Sequence, residues 1–99
     1  MTIIKKYVEA LKEELESAKD YAEKYVEYKA KGDMSKANKY KEMANDELRH
    51  ATNIHGWAVE EIENISKVYT APAEMLEKWN QEHKLYVEHA AWIKQMLAL

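Results

Sequence analysis

Two glycines and one proline in 99 residues leave this chain very few places to turn. These are the residues that most readily break a helix or permit a sharp reversal. They stand in KGDMS at 31–35, in YTAPAE at 69–74, and alone at Gly56. The intervening stretches are dense in Ala, Leu, Lys and Glu, which favour helix. The spacing predicts an all-α chain of three antiparallel helices, over about 3–30, 34–68 and 73–97, in one domain. Asp33 suits the N-cap of the second helix and Pro72 the first turn of the third. Gly56 is expected to lie inside the second helix, at a cost of about 1 kcal/mol relative to alanine.

A chain this short sits at the lower end of what buries a self-sufficient core, so a homodimer or higher homo-oligomer is expected. No apolar run approaches the roughly 20 residues a bilayer requires, so no membrane is expected as a partner. MTIIKKYVEALKEE enters amphipathic periodicity without the apolar region of a secretory signal, and a cytoplasmic location is the resulting expectation. The absence of cysteine removes disulfides, thiolate zinc sites and thiol nucleophiles. Any metal must then be held by carboxylate and imidazole, which favours iron, manganese or zinc. A net charge of -3 and a single arginine, Arg49, offer no basic stripe for phosphates, so nucleic acid is not expected.

Projecting each helix at about 100° per residue separates its faces. In the first, Ile4, Val8, Leu11, Leu15, Ala18, Ala22 and Tyr25 form one apolar stripe, flanked by Tyr7, Tyr21 and Tyr28. Glu14 lies on that flank, where an unpaired carboxylate is costly unless neutralised or coordinated. In the second, Ala44, Leu48, Ala51, Ala58, Ile62 and Ile65 centre an apolar arc, with Met43, Ile54 and Trp57 on one edge. Glu47 lies inside the arc and His50 toward the same edge, separated by about 60° and about 4.5 Å of rise, near enough to reach one ion. A hairpin turning near Gly32 and Asp33 sets Glu14 opposite His50 or Ala51. Glu14, Glu47 and His50 are therefore expected to meet between the two helices as metal ligands. With fifteen glutamates in the chain, a Glu three residues before a His carries little weight alone; the matching height on two helices carries more. A polar core pair or a set of partner-facing residues is the alternative.

These residues resemble the ferritin-like di-iron carboxylate proteins, whose half-site is a Glu followed seven residues later by a Tyr, then E-x-x-H on the next helix. Here the pattern reads Glu14 to Tyr21, then Glu47-Leu-Arg-His50, similar to segments of bacterioferritin and rubrerythrin, and it covers residues 8 to 55. The resemblance implies Glu14 as a terminal or bridging carboxylate, Glu47 as a bridging ligand, His50 as a terminal ligand and Tyr21 as a hydrogen-bond donor behind them. It implies iron as cofactor and a ferroxidase-type oxidation or iron handling.

The departure is a missing second half. A third helix turning near Ala71 brings Trp92 to Gln95 level with Glu47 and His50, and these include no carboxylate or imidazole. The economical completion is a two-fold homodimer forming a ferritin-like four-helix bundle, as the half-site chains of encapsulated ferritins do by resemblance. A looser likeness to short helical proteins of bacteriophage genomes implies no activity.

A second polar group remains. His55 centres the apolar arc of the second helix, and His83 sits among Leu76, Trp79, Tyr86 and Ala90 on the third. Glu61 is near in register, while Glu82 and His89 share an edge. Most histidines on apolar faces are hydrogen-bonded core residues, and a second metal site here is the lesser expectation. Leu85 and Trp92 fall on the outer side of the third helix. Against the metalloprotein stands a metal-free helical bundle serving as an interaction or assembly module. No triad serine, phosphate-binding glycine loop or H-E-x-x-H motif supports a hydrolase.

Overall fold

A computed structural model describes residues 2–68 and 73–99, with side chains from Ile4 onward. Helix α1 spans Thr2–Ala30, α2 Met34–Val68 and α3 Ala73–Leu97, and there is no strand among the described residues. Pro72, and the turn placed near Ala71, lie outside the described residues.

The α1–α2 turn is set by two residues. Gly32 adopts φ 80°, a left-handed conformation that glycine reaches without a Cβ penalty. There the amides of Gly32 and Asp33 donate to the carbonyls of Lys29 and Tyr28, both at 3.0 Å, which closes the end of α1. Asp33 then starts α2: its Oδ1 accepts the Lys36 amide at 3.1 Å and its carbonyl accepts the Ala37 amide.

With the turn fixed, α1 and α2 pair along their length as an antiparallel hairpin. All seven residues of the α1 stripe are buried. The facing surfaces carry Ala18, Ala22, Ala37, Ala44, Ala51 and Ala58, each fully buried, so the two backbones approach closely over small side chains. Helix α3 runs beside α1 in the same direction, burying Met75, Trp79, Ala90, Ile93 and Leu97. Its packing on α1 is the more extensive; it meets α2 mainly through side chains. The result is a rod of 55 × 17 × 17 Å.

Two core clusters fill this rod. One joins Leu11 through Tyr25 of α1 to Ala90, Ile93 and Leu97; the other joins Ile4 and Val8 to Ala58, Met75 and Trp79. Ile62 and Ile65, expected at the centre of the α2 arc, are only half-buried. The register of α3 also differs from the expectation. Thr52 pairs with Tyr86 and His55 with His83, which places residues 88 to 91 beside Glu47 to His50, about one turn earlier than Trp92 to Gln95. Large rings interlocking between α2 and α3 set the register, rather than the midpoint of their connection.

Candidate metal centre

Glu14, Glu47 and His50 converge on one flank of the hairpin. Each offers a ligand atom within 4.8 Å of the others, and they form the one group of three or more potential ligands to do so among the described residues. His50 Nδ1 lies 3.5 Å from Glu14 Oε2 and 3.8 Å from Glu47 Oε2. Antiparallel pairing brings Glu14 beside His50, and one helical turn separates His50 from Glu47. The two carboxylates are half-buried, with side chains 27% and 23% accessible, whereas His50 is 49% accessible at the rim. The three meet between the helices as expected, with the glutamates half-buried, but His50, expected to face inward with Glu47, is exposed. The edge position that aims its ring at Glu14 also leaves it open on the side away from α3.

Two features of this cluster bear on a metal. Glu14 Oε2 is buried without a hydrogen-bond partner, although His50 is near, because no donor is aligned on it. A buried carboxylate oxygen in that condition costs free energy until a proton, donor or cation reaches it. Arg49 supplies none, for it is turned to Asp46 at 3.0 Å. Two ligands of a single ion, with bonds of about 2.0–2.2 Å, stand roughly 3.0–3.5 Å apart. The two separations from His50, 3.5 and 3.8 Å, need to contract by only a few tenths of an ångström, and all three ligand atoms already lie within 4.8 Å of one another. Two carboxylates and an imidazole suit iron, manganese or zinc, so the residues present fit the group.

Around the site the flank is apolar. Tyr7, Ala10, Ile54 and Trp57, with Lys6 at the edge, line a shallow hollow toward one end. Trp57 is 56% and Met43 40% exposed. Toward the other end Tyr21 lies two turns from Glu14, its ring 6.2 Å from that of Tyr40, which stacks at 5.5 Å on Tyr28. No hydrogen bond joins Tyr21 to the cluster among the described residues. Tyr7, Ile54 and Trp57 lie on the edges expected of them. Tyr40 was not singled out from sequence, although the spacing 40, 43, 47, 50, 54, 57 is one helical edge and marks it.

Helix α3 packs on the opposite flank and gives the cluster no ligand. Glu88 and His89 are level with it, but His89 turns toward α1, where it lines a groove with Lys12, Leu15, Lys19 and Trp92. The expectation that α3 contributes nothing thus stands on orientation, not on a lack of suitable residues at that height.

The second polar group divides. His55 Nε2 and His83 Nδ1 are 2.6 Å apart, in hydrogen-bond contact. Glu82 is held instead by Lys12 at 3.3 Å, and neither Glu61 nor His89 joins a group of three ligands among the described residues. Burial, and after it the facing His83, holds the His55 imidazole below its ordinary pKa. Leu85 is half-exposed, whereas Trp92, expected on the outer side with it, is half-exposed but turned to α1, where Lys19 Nζ stands 5.5 Å from its ring centre. None of the described helices is long and apolar enough to cross a membrane.

Set against protein-family models, curated proteins and solved structures, the chain matches none of them.

Proposed function

We propose that the chain binds a divalent transition metal through Glu14, Glu47 and His50, and that a second copy related by a two-fold axis supplies the same three residues across the open flank. The metal is iron, with manganese or zinc as alternatives, and the function is iron oxidation or iron handling. The observation that carries this reading is Glu14 Oε2, buried and unpartnered beside a second half-buried carboxylate and an imidazole. In a bare structural role that oxygen would be expected to face water or a donor.

Three ligands leave the coordination of one ion incomplete, and the flank that holds them is the one α3 leaves uncovered. An isologous dimer formed there sets two identical half-sites face to face and buries Met43 and Trp57 with them. Two hairpins paired in this way make a four-helix bundle, the ferritin-like arrangement that the Glu14 to Tyr21 and Glu47 to His50 patterns resemble. A bound iron pair would supply one-electron chemistry, Fe(II) passing to Fe(III) while dioxygen or peroxide takes the electrons. The chain's own part is to hold two carboxylates half out of water and to present the half-exposed His50 ring.

An anaerobic Fe(II) titration, monitored by thermal shift and by mass in solution, tests the proposal. Saturation near one iron per chain, with a dimer and a raised melting temperature, is the expected result. Absence of binding, with the same mass in chelator and in iron, refutes it. Such a result would favour the second reading, a metal-free assembly module, which rests on the exposure of Met43 and Trp57 on that flank.

A further inference from the structure

The two core clusters of the rod meet at a polar joint. On α3 the buried positions run Met75, Trp79, then Ala90, Ile93, Leu97; between them stand Glu82, His83 and Tyr86. At the same level α2 presents Thr52 and His55. The His55 ring lies against the Trp79 ring at 5.5 Å and the Tyr86 ring at 4.8 Å, nearly parallel to the latter at 15°. Its Nε2 meets His83 Nδ1 at 2.6 Å, and the Tyr86 hydroxyl meets Thr52 Oγ1 at 3.1 Å. These are the side-chain hydrogen bonds between α2 and α3 among the described residues. Beside them the two helices meet through ring stacking and the apolar contact of Ala58 with the Met75–Trp79 cluster, their backbones standing well apart.

We propose that the His55–His83 hydrogen bond is an acid-sensitive latch that holds the Met75–Trp79 half of α3 against α2 and releases it when both rings are protonated. Proton counting gives the reason. Two neutral imidazoles share one N–H between the facing nitrogens, and one neutral ring accepts equally well from one imidazolium. Two imidazolium rings present N–H to N–H and positive charge to positive charge, so the bond is lost and repulsion replaces it. The pair therefore titrates as a unit, and its second proton is the one that opens the joint.

The neighbours do not supply a compensating negative charge. On α3, Glu82 is drawn to Lys12 of α1 at 3.3 Å, and Tyr86 is engaged with Thr52. On α2 the residues at the joint are Thr52 and the rings' own partner, His55. His83 is exposed, while burial and then the facing His83 hold the His55 imidazole below its ordinary pKa. The latch is thus closed at neutral pH and opens as pH falls below the ordinary imidazole value of about 6.5. Ala90, Ile93 and Leu97 hold the other half of α3 in the larger cluster throughout.

Trp79 reports the opening, because it is 7% exposed and lies in the half that lifts; Trp57 and Trp92 are already half in water. In a protein carrying Trp57→Phe and Trp92→Phe, kept metal-free with chelator, Trp79 emission should shift reversibly to the red between pH 7.5 and pH 5 while helix content by circular dichroism holds. His55→Phe keeps a ring between Trp79 and Tyr86 but takes no proton, and it should abolish the shift. His83→Asn, at an exposed position where folding is not at risk, should abolish it as well. His50→Gln should leave it intact. A parent protein with no red shift, a shift that survives His55→Phe or His83→Asn, or one that disappears with His50→Gln would overturn the latch.

Discussion

Glu14 Oε2 and His50 Nδ1 stand 3.5 Å apart across the α1–α2 groove, close enough to share an ion and without a hydrogen bond between them. As a plain ion pair at a half-exposed position, this contact would contribute about 0–1 kcal/mol. As two of the ligands of a metal, it is worth the binding free energy of that metal. The difference is measurable.

Replacing Glu47 with alanine should abolish metal-dependent stabilisation. Metal at a hundredfold excess over Kd raises stability by about 2.7 kcal/mol when the folded state alone binds it. The variant should lose that increment while its metal-free melting temperature changes little or rises, as a half-buried carboxylate is removed. Thermal unfolding with and without Fe(II) or Zn(II) gives both numbers.

The double substitution Glu14→Gln with His50→Gln should eliminate iron binding while leaving the hairpin folded. Equilibrium dialysis with metal analysis reads the stoichiometry. Retention of one iron per chain would remove these residues from the site.

Trp57→Asp should prevent association through the open flank, for it places a charge where 56% of an indole surface is exposed. Light scattering should show a monomer at concentrations where the parent protein is dimeric in the presence of metal, with unchanged helix content. A Trp57→Asp dimer would move the interface elsewhere.

The close approach of α1 and α2 predicts intolerance of volume. Ala22→Leu inserts a branched side chain where accessibility is nil and should cost about 1–3 kcal/mol. Gly32→Ala meets no atom within 4 Å, so its cost of about 1 kcal/mol should come from the left-handed backbone alone. Urea denaturation measures both.

Stability should fall on mild acidification. The fold depresses the proton affinity of His55, so below about pH 6.5 the unfolded chain binds more protons than the folded one. The contribution is present above that pH and declines as pH is lowered toward the folded-state value. Urea midpoints at pH 7.5 and 5.5 should differ in that direction, and less so for His55→Phe.

Residue order alone determined the helices and much of their inward faces. Glycine and proline mark the breaks, Asp33 can cap only a helix on its C-terminal side, and an apolar stripe such as Ile4 to Tyr25 names its buried side through the helical period. It also set the level of Glu14 against His50, because a tight turn at Gly32 fixes the register of an antiparallel hairpin. The tertiary structure decided what depends on a third body. Which flank α3 covers, how interlocking rings shift its register by a turn, that His89 turns to α1 while His83 reaches His55, and that His50 remains at a rim are matters of packing between helices. Periodicity describes one helix at a time, and it carries no information on how a neighbour slides or rotates until the side chains between them are in contact.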